Sequence, residues 1–376
     1  LTAIDLSTND LLEQVNVNSN QLTYLNMRNG VTDALTTFNA TNNSLACIET
    51  LDPDYATANW TYANGNIDEG VNFSEICYSS NPNYTNVPDD NFEQALIDLG
   101  YDDVLDDYVL TANISGVTTL YVGSKEIADL MGIEAFTALT YLQCEQNQLT
   151  SLDVSANTAL DWLNCDSNNL TSLDVSNNTA LSWLKCGWNQ LTSLDVSANT
   201  ALFFLHCGGN QLTSLDVSSN TALEELICSS NQLTTLDISA NTALYHLACP
   251  YNQLTSLDVS SNTALTYLSC KSNSLTSLDV SSNTVLTYLE CYNNQLTSLD
   301  VSANTALTSL NFSDNQVTTM DVSANTALNS LRCWNNQLIY LNIKNGAITD
   351  QMTDFYAYSN FFDCIEVTAD DIDWAT

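Results

Sequence analysis

The sequence predicts a solenoid, a stack of short parallel strands with one strand per turn and tight bends between turns. Three observations predict it. A cysteine recurs every 21 residues at Cys144, Cys165, Cys186, Cys207, Cys228, Cys249, Cys270 and Cys291, and again at Cys333, with Phe312 in the slot between. A leucine opens each unit on the same beat, from Leu139, Leu160 and Leu181 to Leu307 and Leu328. The phrase LTYLQCEQNQLTSLDVSANTA at 139–159 returns in nine variants. One such unit cannot bury its own apolar face, so fixed-period self-similarity implies stacking.

Each unit reads L-x-x-L-x-C-x-x-N-x-L-x-x-L-D-V-S-x-N-T-A. Leu-x-Cys alternates inward and outward residues, as a short strand does. The asparagine after it (Asn147, Asn168, Asn189 and onward to Asn336) is placed to bond backbone at the bend, where polar groups would otherwise be buried unpaired. Leu-Asp-Val alternates again, which predicts a second, shorter strand on the opposite flank. Ser-x-Asn-Thr then turns the chain back, with residues that bond their own backbone. The cysteines read as small inward hydrophobes. Phe312, Val17, Met27 and Ile343 fill the same slot, which a metal or redox site would not accept. Parallel in-register cysteines also do not offer the roughly 90° dihedral of a disulfide.

This phrase resembles the leucine-rich repeat family in its bipartite 21-residue form. It is similar to secreted or surface proteins of Bacteroidetes-type bacteria and, more distantly, to internalins. The resemblance covers nearly the whole chain. It implies an α/β-type leucine-rich repeat solenoid, mostly short parallel strands with little helix, in a curved right-handed superhelix with capping modules. It also implies a recognition scaffold, although the family is defined by its scaffold and not by a ligand.

Residues 1–80 read as the end of an upstream array with its carboxyl-terminal cap. LTYLNMRNG at 22–30 and ACIET at 46–50 return as LIYLNIKNG at 338–346 and DCIEV at 363–367, and both stretches run on to a tryptophan, Trp60 and Trp374. About two turns of that first array are present, too few to bury a solenoid core alone. The expectation is a piece of a longer, multi-array protein. Residues 81–138 resemble an amino-terminal cap. Asp90 is placed as the N-cap of a helix at about 91–99 that stops at Gly100. Leu120–Val122 and Ile127–Ile133 read as degenerate first turns. Ten repeats fill 139–348, and 349–376 is a second carboxyl-terminal cap, expected to be truncated. Cys47 and Cys77 stand outside the ladder and are a disulfide candidate in an extracellular setting, while Cys364 is left single.

There are 44 acidic and 6 basic side chains, a formal charge of −38. Nucleic acid and anionic membrane surfaces need clustered Lys and Arg, so both are excluded as partners. No apolar run is long enough to span a bilayer, so no membrane insertion is expected. An acidic, lysine-poor surface suits a secreted or cell-surface bacterial protein in salty water, where screening tames self-repulsion.

Comparing units within the chain separates scaffold from recognition surface. The convex half barely changes, whereas the concave half changes at nearly every outward position. The residue before the second Leu runs Tyr141, Trp162, Trp183, Phe204, Glu225, His246, Tyr267, Tyr288, Ser309, Ser330. Turns lie roughly 5 Å apart, so Tyr141 to Phe204 should form an aromatic ladder. Phe203, Tyr245, Trp188 and Trp334 flank it, and Lys185, His206 and Arg332 fall on the same face. One reading is that these rings only pack along the sheet. The reading adopted is a binding face for a protein ligand, because contiguous aromatic surface marks interaction sites and Trp, Tyr and Arg anchor them. A carbohydrate-binding module, with the ladder stacking on sugar rings, is the first alternative. A structural or ice-binding solenoid is the second.

The opposite flank carries Asp153, Asp174, Asp195, Asp216 and five more aspartates down to Asp321. The expected role is acceptance of Ser, Thr or backbone hydrogen bonds, with a low-affinity Ca²⁺ ladder as the alternative. Asp102, Asp103, Asp106 and Asp107 cluster in the cap but lack the turn glycine of a Ca²⁺ loop. No other cofactor is expected. The two histidines, His206 and His246, sit two turns or roughly 10 Å apart, and neither has a nucleophile or metal partner in its motif. No enzyme activity is expected.

Overall fold

The computed structural model describes residues 1–78, 81–346 and 352–368. Trp374, and with it the end of the expected second cap, lies outside the described residues. The chain forms two compact units, Leu1–Ser115 and Gly116–Thr376.

In the first unit, parallel strands Ala3–Asp5, Tyr24–Met27, Cys47–Thr50 and Asn72–Ser74 pair in that order. Gln14–Asn16 pairs with Thr37–Asn39 in a second small sheet. Leu22, Leu25, Met27 and Ile48 are fully buried between them. So few turns would leave this core open at one end, and three devices close it. The helix Pro53–Asn59 begins with the Asp52 carboxylate accepting the Tyr55 N–H at 2.9 Å, and Pro53 sits where no N–H is needed. It leads into Trp60, which stacks on Phe38 with ring centroids 4.2 Å apart. Cys47 and Cys77 are joined by a disulfide across 30 residues, a loop whose closure stabilises by about 3–4 kcal/mol in the chain-entropy account.

The same unit carries an antiparallel pair, Tyr84–Asn86 with Tyr108–Leu110, and between them the helix Asp90–Asp98. Asp89, not Asp90, caps this helix. Its backbone is extended and its carboxylate accepts the Phe92 N–H at 2.9 Å, whereas Asp90 is already helical. Gly100, at φ +79°, ends it.

The second unit is built on twelve parallel strands, in order from Thr119–Tyr121 through Ser330–Arg332 to Asp354–Tyr356. The register is constant: Tyr141 lies opposite Trp162, Trp162 opposite Trp183, Trp183 opposite Phe204. Side chains alternate across a strand, so Leu142, Leu163 and Leu184 point inward and are fully buried. The nine ladder cysteines are buried behind them. Burial pushes their thiols up, to about 12 at Cys207 and Cys249, so they stay protonated as compact hydrophobes.

The bend after each strand is held by its asparagine. Asn231 Nδ2 donates to the Cys207 carbonyl at 3.0 Å and the Cys228 carbonyl at 3.2 Å, while its Oδ1 accepts the Leu212 N–H at 3.0 Å. One side chain thus ties its own turn to the preceding one through three bonds. The residue before it turns left-handed in turn after turn, as at Ser167, Trp188 and Ser230.

Two expectations about the opposite flank are corrected. Among the described residues of the ten repeats, the Leu-Asp-Val segment forms a strand only in the last two, at Thr319–Asp321 and Tyr340–Asn342, which pair, apart from one isolated bridge between Asp153 and Asp174. Elsewhere the aspartate folds the chain locally: Asp153 Oδ1 accepts the Ser155 N–H at 2.9 Å, and the same bond recurs at Asp174, Asp195 and Asp216. An Asx turn of this kind competes with strand pairing. The asparagine of Ser-x-Asn-Thr does not bond its own backbone. Asn178 Nδ2 donates instead to the Val154 and Asn157 carbonyls of the preceding turn, both at 2.9 Å.

Candidate functional site

The open face of the twelve-stranded sheet gathers most of the varied residues, and constant register determines how they meet. Aromatic residues at the first strand position stand over one another and stack. Tyr141 and Trp162 have centroids 3.9 Å apart at 7°, Trp162 and Trp183 4.0 Å at 10°, and Trp183 and Phe204 4.7 Å at 12°. Tyr121, which the repeat phrase did not flag, meets the end of this stack at 5.4 Å but is tilted by 56° and does not stack. Glu225 interrupts it. A second stack then forms from His246, Tyr267 and Tyr288, at 4.2 and 4.6 Å. There are therefore two stacks and no single continuous ladder.

Face-to-face stacking consumes the flat faces of the rings. Phe204 is buried, and Tyr141, Trp162 and Trp183 are half-buried, presenting edges to solvent. The exposed aromatic surface lies beside the stack, at Trp188 (60% exposed), Phe203 (43%) and Tyr251 (53%). Trp188 has φ +51°, a left-handed conformation costing a bulky residue about 1–2 kcal/mol. The next turn has Gly209 in that slot, and a Cβ there would come within 2.7 Å of the Trp188 ring. Glycine at 209 is what lets the indole lie flat across the bend.

The charged members of the face are tethered. Lys185 Nζ sits 4.9 Å from the Trp183 ring centroid and 5.7 Å from that of Phe204, a cation–π arrangement. His206 Nδ1 meets Asp166 Oδ2 at 3.0 Å, and the other Asp166 oxygen accepts the Gly187 N–H. A Cβ at Gly187 would clash with the His206 ring at 2.7 Å, so glycine makes room for this pair. Arg332 pairs with Asp354, and Trp334 stacks on Tyr358 at 5.8 Å. The Tyr245 hydroxyl bonds Glu225, which pushes its phenol up to about 12.

Glu290 is the most enclosed carboxylate of this group. Lys271 Nζ lies 2.9 Å away, the Tyr288 hydroxyl 2.7 Å and the Ser269 hydroxyl 3.1 Å. Burial alone would raise its pKa, but these donors together outweigh burial and hold it below the usual carboxylate range. His246 is lowered as well, here by burial itself, so the ring stacked on Tyr267 is neutral at neutral pH. Asp166, Glu225, Glu290 and Asp354 were absent from the sequence-level site. Glu225, which interrupts the aromatic run, and Glu290, in the outward column of Lys185, His206 and Arg332, stand at varied positions that could have signalled them.

The aspartate column on the opposite flank is satisfied from within. Hydrogen bonds from Ser155 lower the Asp153 carboxyl, and the corresponding serines lower Asp174, Asp195 and Asp216. Among the described residues, the carboxylates close enough to share one ion are Asp90, Glu93 and Asp107, whose oxygens lie within 4.8 Å of one another. Glu93 is buried and its Oε1 already accepts the N–H groups of Asp106 at 2.9 Å and Tyr108 at 3.1 Å, a structural role in the cap.

No family model and no curated protein matches the chain. Solved structures do. The functional domain of InlJ from Listeria monocytogenes, described as including a cysteine ladder, is 39% identical with a TM-score of 0.70, over 73% of this chain. The chain spans 62% of that protein's length. The internalin InlF from Listeria monocytogenes is 24% identical over 75% of this chain and 91% of its own, with a TM-score of 0.59. A leucine-rich repeat protein of Leptospira interrogans is 20% identical over 100% of this chain and 97% of its own, with a TM-score of 0.63. At these identities the last two speak for the fold alone.

Proposed function

This chain is a leucine-rich repeat solenoid of the bacterial, internalin-like type with a 21-residue period, and from that premise we propose that it is a non-enzymatic extracellular recognition module that binds a protein partner on its concave sheet face. Trp188 carries the proposal. A tryptophan that is 60% exposed in a left-handed bend, where neighbouring turns place Ser167, Gly209 and Ser230, costs the fold conformational energy. The same bend is left-handed at Ser167, Ser230 and Tyr251, so it is the exposed indole, and not the backbone conformation, that marks the contact. Phe203 and Tyr251 add exposed aromatic area, and Lys185 and the His206–Asp166 pair supply polar groups already fixed in place. Pre-organised aromatic anchors lose little freedom on binding. With a charge of −38, the protein attracts a partner whose contact surface is basic.

The stacking geometry speaks against the ladder as a sugar platform. A glycan docks on an open aromatic face, and in both stacks those faces are covered by the next ring. A protein interface can use the ring edges together with Trp188. An ice-binding role receives no support, because the regular flank is lined with ionised aspartates. Secretion or surface display is part of the same proposal. It draws on the Cys47–Cys77 disulfide, which persists in oxidising compartments.

The test is a binding screen against surface-protein and glycan arrays, with wild type beside a Trp188→Ser, Phe203→Ser double variant. A protein hit weakened by about 2 kcal/mol in the variant, with an unchanged melting temperature, supports the reading. Hits confined to glycans, or a protein hit that the variant binds equally well, would remove it. The Trp162→Ala, Trp183→Ala pair is a poorer probe, because removing stacked, half-buried rings also costs stability.

A further inference from the structure

The chain contains its own comparison. Tyr24–Met27 followed by Arg28, and Cys47–Thr50, recur as Tyr340–Asn342 followed by Ile343 and Lys344, and Cys364–Glu366. The registers correspond, with Asn26 opposite Glu49 in one and Asn342 opposite Glu366 in the other. In the second copy the basic residue is paired: Lys344 Nζ meets Glu366 Oε2 at 2.6 Å. In the first copy the matching glutamate is engaged elsewhere. Glu49 is buried, and its carboxylate accepts the Tyr24 hydroxyl at 3.0 Å, the Cys77 N–H at 3.0 Å and Asn81 Nδ2 at 2.8 Å. Two of these three donors come from the segment that the Cys47–Cys77 disulfide ties down.

Arg28 is therefore left without its counterpart's partner. It is the one basic residue among residues 1–115, in an acidic stretch, yet its guanidinium makes no hydrogen bond or ion pair with any described residue. Its Nε is buried and unpartnered. A guanidinium has five donors and no acceptor, and with Nε enclosed, the terminal nitrogens are the donors left to meet a ligand. It faces a cleft of about 450 Å³, large enough for a small molecule. The lining is mostly polar, with Asn26, Asn81, Asn83 and Thr111, and Pro82, Tyr84, Leu110 and Ala112 supply its apolar part.

We propose that this cleft binds a small molecule or chain end bearing one carboxylate on an apolar body. The carboxylate pairs with the two terminal nitrogens of Arg28, and the body lies against Tyr84, Pro82 and Leu110. Glu49 lines the same cleft and sets the charge limit. Its negative charge is satisfied but still present, so a monoanion is accepted and a dianion repelled. The planar fork of arginine suits a carboxylate better than the point charge of lysine.

The experiment uses the full chain and calorimetric or NMR titration with N-acetyl-tyrosine, N-acetyl-tyrosinamide, a pentapeptide ending in free tyrosine, and inorganic phosphate. N-acetyl-tyrosine should bind roughly tenfold or more tightly than its amide, the value of one charged hydrogen-bonded pair. Arg28→Gln should remove that preference and Arg28→Lys should reduce it. If Arg28→Gln does not fold, the acid–amide comparison on the unaltered chain still decides. Binding of the pentapeptide identifies a chain terminus as an admissible source of the carboxylate, and its exclusion identifies a free small acid; both support the site. Equal affinity for acid and amide, no binding of either up to about 10 mM, or phosphate binding as tightly as the acid would overturn it. Because the cleft and the sheet face of the second unit share no residue, failure here leaves the recognition proposal untouched.

Discussion

Replacing Asn231 by alanine tests what holds the solenoid's bends. The side chain makes three buried bonds, to the Cys207 and Cys228 carbonyls and from the Leu212 N–H. Each is worth about 1 kcal/mol net, and each orphaned partner costs about 1–3 kcal/mol when water cannot reach it. With Asn231 only 8% exposed, a loss of about 3–5 kcal/mol is expected. For a cooperative unit of this size that lowers the melting temperature by roughly 6–20 °C. Asn294 makes the equivalent bonds to the Cys270 and Cys291 carbonyls but is only partly buried, so Asn294→Ala should cost visibly less. Urea and thermal unfolding followed by circular dichroism measure both. Asn231→Asp refines the test. The acid keeps the acceptor for Leu212 but turns a carboxylate toward two carbonyls, which raises its folded pKa above the unfolded value near 3.9. Its stability relative to wild type should then be best below that value and fall as pH rises through the folded pKa. A loss under about 1 kcal/mol for Asn231→Ala, or equal losses at 231 and 294, would refute the view that these amides order the bends.

Other outcomes follow from the same structure. Cys228→Val should cost about 1 kcal/mol or less, as a near-isosteric exchange in a tight core. Thiol titration of the native chain should find the exposed Cys364 reactive and the ladder cysteines silent; rapid labelling of the ladder would contradict their burial. His246 contributes stability as a neutral ring, fully present above the ordinary histidine value near 6.5 and lost as pH falls through its lowered folded pKa. His246→Phe should flatten that limb of the stability profile, and an unchanged profile would assign the limb elsewhere. The −38 charge should make the melting temperature rise with NaCl, as the Debye length shrinks from about 30 Å at 0.01 M to 8 Å at 0.15 M. If the Asp153–Asp216 column also takes Ca²⁺, millimolar Ca²⁺ should raise it beyond Na⁺ of matched ionic strength, and equal shifts would leave only screening.

The cap shows why local signals fell short by a small margin. Both Asp89 and Asp90 are acceptable caps by residue type, and a propensity argument cannot choose between them. The choice depends on which residue is extended as the chain leaves the Tyr84–Asn86 strand. The second-strand expectation failed for a related reason. Leu-Asp-Val has strand alternation, but Asp followed two residues later by Ser offers the backbone a nearer partner, and that bond formed at turn after turn. In the last two repeats, where Cys364–Glu366 continues the flank, Thr319–Asp321 and Tyr340–Asn342 did pair.

Read alone, the period determines everything that repeats with it: the inward leucine and cysteine columns, the bend asparagines, and which side chains stand above one another. These follow because a constant register converts a sequence spacing of 21 residues into a fixed spatial neighbour. Contacts that do not share the period were decided by tertiary structure. Asp166 meets His206 across 40 residues, skipping a turn through the space left by Gly187. Aromatic faces that look like a sugar platform in the sequence are spent on one another, and the exposed rings, such as Trp188 at the bend, stand beside them. Arg28 and Lys344 occupy matching positions, yet one is paired and the other is not. Glu49 is held by Tyr24, Cys77 and Asn81, contacts that only three-dimensional proximity creates.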